Sequence, residues 1–287
     1  MADTLRKLVE AELGEPVDRR VAAMAEAIAA RHGSASRAVL FYGSCLREKQ
    51  LDGLMLDFYL IVSDYRAAYG KRWLAKANAL IPPNVFPFHH DGLAAKYAVL
   101  SEADFHRLNG PETRNVSVWA RFAQPSRLVW ARDAEARRNV VAAVSRAAPS
   151  LLAAARPYPT GDKLEPWRHA FSLTYSAELR AERKGRSGSI VDTDPDRYRR
   201  FLAPALAAIE PTASQGHWPR RRLEGKLLSV ARLAKASLTY AGGAEYIAWK
   251  INRHAGTDIE LKPWQKRHPL LAAISLLPRL LRSGAIR

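Results

Sequence analysis

The sequence has little sulfur, few acids and no long apolar run. Of 287 residues one is cysteine and three are methionine. The single thiol, Cys45, rules out an internal disulfide framework, and no Cys/His cluster has zinc-ligand spacing. The fold must therefore hold by packing, in a reducing compartment. The best candidate for a membrane span, Leu270 to Pro278, is about half of the roughly 18 apolar residues a spanning helix needs. The N-terminus carries Asp3, Glu10 and Glu12 and resembles neither a secretion signal nor a transit peptide, which predicts a cytoplasmic protein. Acids number 28 against 45 Lys and Arg, a formal net charge of +17. That excess implies an anionic partner: nucleic acid, a nucleotide or phosphate substrate, or an acidic lipid surface. Hydrophobic residues make up 48% of the chain, enough to build a core in one or two domains.

Val17, Val21, Met24 and Ile28 recur at helical spacing between Pro16 and His32-Gly33, which predicts an amphipathic helix. Strands are expected at Arg37 to Tyr42 and at Met55 to Val62, the latter an apolar run interrupted by one carboxylate, Asp57. An ionised Asp buried without a partner is costly, so Asp57 must lie at a strand edge, pair with a cation or bind metal. A helical stretch from Tyr65 to Ile81 ends at Pro82-Pro83. Two strands follow, Val85 to His89 and Ala94 to Leu100, the second carrying Lys96. Trp119 to Phe122 and Arg127 to Trp130 flank Gln124-Pro125, and an Ala/Arg-rich helix is expected from about Ala134 to Ala148. Pro149, Pro157, Pro159 and Gly161 mark the best internal boundary, with mostly helical sequence beyond it. The division is residues 1–150, 160–265 and 266–287.

From Gln215 onward 14 Lys and Arg stand against 4 Asp and Glu. Within that stretch Leu270, Ile274, Leu277 and Leu281 share a helical face, with Lys266, Arg267, His268, Arg279 and Arg282 beside them. This reads as a basic amphipathic helix able to lie on an anionic membrane, the alternative being a helix packed on its own domain.

Tyr42-Gly43-Ser44 is followed 14 residues after Gly43 by Asp57 on an apolar strand. That is the layout of a nucleotidyltransferase site: a strand delivers Gly-Ser to a turn at a helix start, where backbone N–H groups and the Ser hydroxyl hold a triphosphate. The next strand supplies carboxylate for Mg²⁺. Such sites usually carry Asp-x-Asp, whereas the residue two after Asp57 is Tyr59.

Taken together, the motifs resemble one family, the mitochondrial translocator-assembly-and-maintenance proteins, soluble phosphatidate cytidylyltransferases of the nucleotidyltransferase superfamily. Its Tyr-Gly-Ser turn and Met-x-Asp-Phe strand are matched by Tyr42-Gly43-Ser44 and Met55-Leu56-Asp57-Phe58. Lys96 to Ser101, Trp119 to Pro125, Leu173 to Arg180 and Lys235 to Gly242 resemble its later motifs, in order. The resemblance implies an α/β (α+β) fold, with an N-terminal nucleotidyltransferase domain on a mixed sheet, then a mostly helical, winged-helix-like domain and the C-terminal amphipathic helix. It also implies a reaction, CTP plus phosphatidic acid giving CDP-diacylglycerol and pyrophosphate with Mg²⁺, on the inner face of a membrane. Asp57, Lys96 and Arg121 would be catalytic, with Asp57 and Glu178 on the metal. Tyr42, Gly43, Ser44, Tyr175, Ser176, Arg180 and Lys235 would bind substrate.

Each residue has a plainer alternative. Lys96 would snorkel from its strand, Arg121 would stack between aromatics, Glu178 and Arg180 would belong to a solvated helix face, and Lys235 would be surface charge. His89 and His90 beside Asp91 suggest metal, but adjacent strand residues point to opposite faces. Cys45 reads as a small filler. Two other functions stay open: nucleotidyl transfer to RNA or a sugar phosphate, and non-catalytic nucleic-acid binding using Trp218, Trp249 and Trp264.

Overall fold

The computed structural model describes residues 2–48, 51–178, 186–210, 216–239 and 262–263. The chain opens with helix α1 (Ala2–Leu13), whose Leu5, Val9 and Leu13 are buried. Helix α2 (Arg19–Arg31) starts where the Asp18 carboxylate accepts the Arg20 N–H and buries Val21, Met24, Ala25, Ile28 and Ala29; Val21, Met24 and Ile28 are as expected from the sequence, while Val17 precedes the helix and is half-buried. Strand β1 (Ser36–Tyr42) leads into the short helix α3 (Ser44–Glu48), then β2 (Met55–Val62). The stretch read as one helix up to Ile81 is two, α4 (Tyr65–Ala68) and α5 (Arg72–Leu80), because Tyr69 adopts extended backbone between them. Strands β3 (Asn84–His90) and β4 (Leu93–Ser101) follow, then α6 (Glu102–Asn109), α7 (Ser117–Phe122) and β5 (Ser126–Ala131). The Ala/Arg helix is also divided, into α8 (Ala134–Ser145) and α9 (Ala147–Ala154). Pro149 has no N–H to return to Ser145, so the α8 ladder cannot run through it. Beyond Gly161 come α10 (Glu165–Ala177), α11 (Arg186–Thr193), α12 (Pro195–Ala207) and α13 (Trp218–Thr239).

The protein is therefore α/β, with a five-stranded mixed sheet in the order β3-β4-β2-β1-β5. Among the described residues only β2 and β4 pair in parallel. Side chains alternate across the pleat, so each strand feeds two cores. Val39, Phe41, Leu56, Phe58, Leu60, Tyr97 and Val99 face one core, closed by α2, α4 and α5. Ala38, Leu40, Tyr59, Ile61, Ala98 and Leu100 face the other, closed by α1 and the helices from α6 onward. This second core includes Leu151 and Leu152 before the Pro157–Gly161 segment and Leu164, Trp167 and Phe171 after it, so apolar packing is continuous across that segment. Residues 266–287, expected as the basic C-terminal helix, lie outside the described residues, as does Arg180.

Candidate functional site

The helical face of the sheet carries the polar cluster. Tyr42 on β1 is register partner of Asp57 on β2, and Asp57 is register partner of Lys96 on β4. The two-residue period points all three toward the helices of the larger core, as it does Tyr59. The interruption in the β2 run is thus resolved by pairing with a cation: Lys96 Nζ lies 2.9 Å from Asp57 Oδ1, and both side chains keep some exposure, 27% and 18%.

Gly43 follows Tyr42 with φ +96°, a backbone region that side chains disfavour. A Cβ at this position would fall 2.8 Å from Asp57 Oδ2. Glycine is needed here twice over, for the turn and for the carboxylate to lie against the main chain. Ser44 begins α3 directly after it.

Arg121 reaches the cluster from α7, donating from Nη1 to the Ser117 carbonyl at 2.7 Å. Burial works against its charge, but Tyr59, Glu178, Tyr42 and Asp57 more than offset this, and its pKa is raised. Burial, then Asp57 and Tyr59, push the Tyr42 phenol well above its ordinary value against the pull of Arg121, to which it is hydrogen-bonded. Tyr42 is therefore a neutral hydroxyl at physiological pH. Its ring packs 5.3 Å from Tyr59 and 6.1 Å from Phe122, centroid to centroid. Glu178, buried at the end of α10, faces Arg121 and a further cation, Arg232 of α13.

Lys235 lies one helical turn beyond Arg232 and donates to the carbonyls of Ile81 and, at 2.8 Å, of Pro83. It anchors α13 to the Pro82-Pro83 turn. Burial, with Arg232 alongside, lowers its pKa from 10.5 to about 7. Between those values the unfolded chain holds the proton that the folded chain has released, so this residue makes stability rise with pH from about 7 to about 10.5. Urea unfolding at pH 6.5 and pH 9 should show the wild type gaining stability relative to Lys235→Met. Parallel pH dependence of the two proteins would remove the linkage.

The structure thus brings together Tyr42, Gly43, Asp57, Lys96, Arg121 and Glu178, with Ser44 next in the chain. Other residues make contacts of their own. Tyr175 packs its ring against the larger core, and the exposed Ser176 donates to Leu173 O and accepts from Arg222 Nε at 3.2 Å. His89 is exposed, while His90 stacks on Phe88 and lies 3.5 Å from Asp91, the divergence expected of neighbours on a strand. Among the described residues no three His, Cys, Asp or Glu side chains gather as a metal cage. Cys45 is buried with Sγ 3.6 Å from Met55 O, a filler's position. Trp218 is buried with its indole N–H on Ala154 O, which removes it from base stacking; Trp249 and Trp264 lie outside the described residues.

Sequence reasoning missed Tyr59 and Arg232. The signal for Tyr59 was its place two residues after Asp57, hence on the same face. For Arg232 it was the three-residue step to Lys235, which shares a helical face.

No family model matches the chain, and no curated protein matches it.

Proposed function

We propose that this protein is a phosphatidate cytidylyltransferase built on a nucleotidyltransferase fold, joining CTP to phosphatidic acid and releasing pyrophosphate. The observation that carries the reading is the Asp57 carboxylate held against the Gly43 backbone at a strand-turn-helix junction, in register with Tyr42 and Lys96. The charge around it supports a polyanionic ligand: Lys96 and Arg121 stand near Asp57, and Arg121 and Arg232 near Glu178, three cations against two carboxylates.

The donor set fits Mg²⁺. This hard ion takes oxygen ligands, needs only one or two protein carboxylates, and completes its shell with water and substrate phosphates. Asp57 would hold it. Glu178 faces Arg121 and Arg232 and is better suited as their counter-ion than as a second metal ligand. When bound, the ion neutralises phosphate charge and favours in-line displacement.

The chain's own groups do the rest. Gly43 and Ser44 would receive the triphosphate at the turn, and Tyr42 would donate its retained phenolic proton as a hydrogen bond. Lys96 and Arg121 would stabilise charge on the transferring phosphoryl group. The acceptor is the phosphate oxygen of phosphatidic acid, already ionised near neutral pH, so no strong general base is required. That oxygen bonds to the α-phosphorus of CTP as the bridge to the β-phosphorus breaks, and pyrophosphate leaves with the electron pair.

No helix among the described residues is long and apolar enough to cross a membrane. In this reading the protein meets its lipid substrate as a peripheral protein, docked through the basic segment 266–287 on an anionic surface, an attraction that salt would weaken. The test is incubation with labelled CTP, Mg²⁺ and phosphatidate vesicles, followed by lipid extraction. Label should appear in the lipid phase. Its absence at every vesicle composition sinks the proposal, and transfer of label to RNA or a sugar phosphate instead would reassign the acceptor.

A further inference from the structure

Arg232 has bonding capacity that the fold leaves unused. Its Nε donates to Pro82 O at 2.8 Å and its Nη1 to the Ser117 hydroxyl, while Nη2 is buried with no hydrogen-bond partner. Arg121 donates to the carbonyl of the same serine at 2.7 Å. One residue, Ser117, therefore holds two guanidinium groups side by side, its hydroxyl in turn donating to Asn115 Oδ1 at 2.7 Å.

Such a pair is unfavourable without an anion. Asp57 is matched by Lys96. Glu178 must serve both Arg121 and Arg232, which leaves one positive charge in excess at a largely desolvated position. Burial and the neighbouring Arg121 together lower the Arg232 pKa, with Tyr59 and Glu178 opposing. A buried guanidinium with an unsatisfied arm carries a cost that an anionic ligand would offset. This one is fixed through Nε and Nη1 and keeps one arm without a partner, the arrangement suited to a planar grip on phosphoryl oxygens.

We infer that Arg232, set beside Arg121 on Ser117, is a ligand for a substrate phosphoryl group. The inference rests on reading the Asp57 cluster as a phosphoryl-transfer site and adds to it a binding residue from α13. The phosphoryl group belongs either to the nucleotide triphosphate or to the phosphate monoester of the acceptor.

Calorimetric titration with sodium tripolyphosphate, and flotation with vesicles containing phosphatidate or, for comparison, phosphatidylglycerol, separate the two sources. Arg232→Gln and Arg232→Lys serve as variants, and Arg199→Gln, at an exposed position of α12, is the control. If the ligand is the triphosphate, both variants bind tripolyphosphate about 10- to 100-fold more weakly, and tripolyphosphate no longer raises their melting temperature as it does that of the wild type. If it is the monoester, tripolyphosphate binding holds and the preference for phosphatidate vesicles disappears. Wild-type behaviour of Arg232→Lys in both measurements overturns the inference, whether or not Arg232→Gln folds. A wild type that forms no labelled lipid, with variants that still lose tripolyphosphate affinity, defeats the cytidylyltransferase reading and leaves this inference standing. Labelled lipid from the wild type with unchanged binding by both variants does the reverse.

Discussion

Asp57→Asn is expected to reduce the proposed CDP-diacylglycerol formation by about 10³-fold or more, and Gly43→Ala by about 10²-fold, with both proteins still folded. The two act on the same contact from opposite sides. Asparagine keeps the shape beside Lys96 Nζ but presents no charge to it or to a metal. Alanine at position 43 brings a methyl carbon to 2.8 Å from Asp57 Oδ2 on a backbone with φ +96°, so the carboxylate, the turn or both must shift. A displacement of about 1 Å in a reacting group is enough for a loss of that order. Stability should fall modestly in Asp57→Asn, by more than the about 0–1 kcal/mol of a solvent-exposed pair, because both side chains are less than a third exposed, and by less than the about 3–5 kcal/mol of a fully buried one. Melting curves and initial rates on the same preparations check both expectations. Full activity in Asp57→Asn would remove the carboxylate from the reaction, and full activity in Gly43→Ala would show that the turn has room to move.

The parts of the fold legible in the sequence are those where one physical rule acts alone. The strands β1, β2, β3 and β4 are apolar runs or alternations bounded by turn residues, and the structure starts and ends them within one residue of those bounds. Helix α2 follows from its apolar spacing and its Asp18 cap. Helix α1 went unread because its Leu5, Val9 and Leu13 stripe sits among Asp3, Lys7 and Glu10 and gains its meaning only from a distant core. The divisions within Tyr65 to Ile81 and Ala134 to Ala148 depend on a single backbone position each, which helical periodicity does not report. At the site, Asp57 announced itself as a charge in an apolar run and Gly43 as the glycine of a turn. Lys96 was visible as a cation on a strand, but its pairing with Asp57 depends on register between strands separated by two helices and a strand, which no local pattern encodes. Arg232 is further removed still, arriving from α13 by tertiary packing onto Ser117.

The largest effect on stability is expected from a pair remote from that cluster. Arg197 of α12 makes a two-pronged contact with Glu12 of α1, Nη2 lying 2.9 Å from Oε1 and Nε bonded to Oε2, and a third bond runs from Nη1 to Ala123 O at 3.0 Å. Both side chains are nearly inaccessible, 4% and 8% exposed, and the guanidinium lies 4.4 Å from the Phe201 ring centroid. Burial opposes the Arg197 charge, and Glu12 more than restores it, so its pKa is raised. A buried pair contributes modestly when intact, but removing one member strands a desolvated charge at a cost of about 3–5 kcal/mol. Glu12→Gln and Arg197→Met should each lower the melting temperature by about 6–20 °C, at about 2–4 °C per kcal/mol for a chain of this size. The double variant Glu12→Gln/Arg197→Met should recover much of the loss, because no charge is left behind, and the departure from additivity measures the coupling. Losses below about 1 kcal/mol in both single variants, by urea unfolding, would show that water reaches the pair. Ala123 gives the clasp a route to the site: it directly follows α7, so releasing its carbonyl loosens the C-terminal end of the helix that carries Arg121. Arg197→Met should therefore also weaken tripolyphosphate binding, at temperatures where it remains folded.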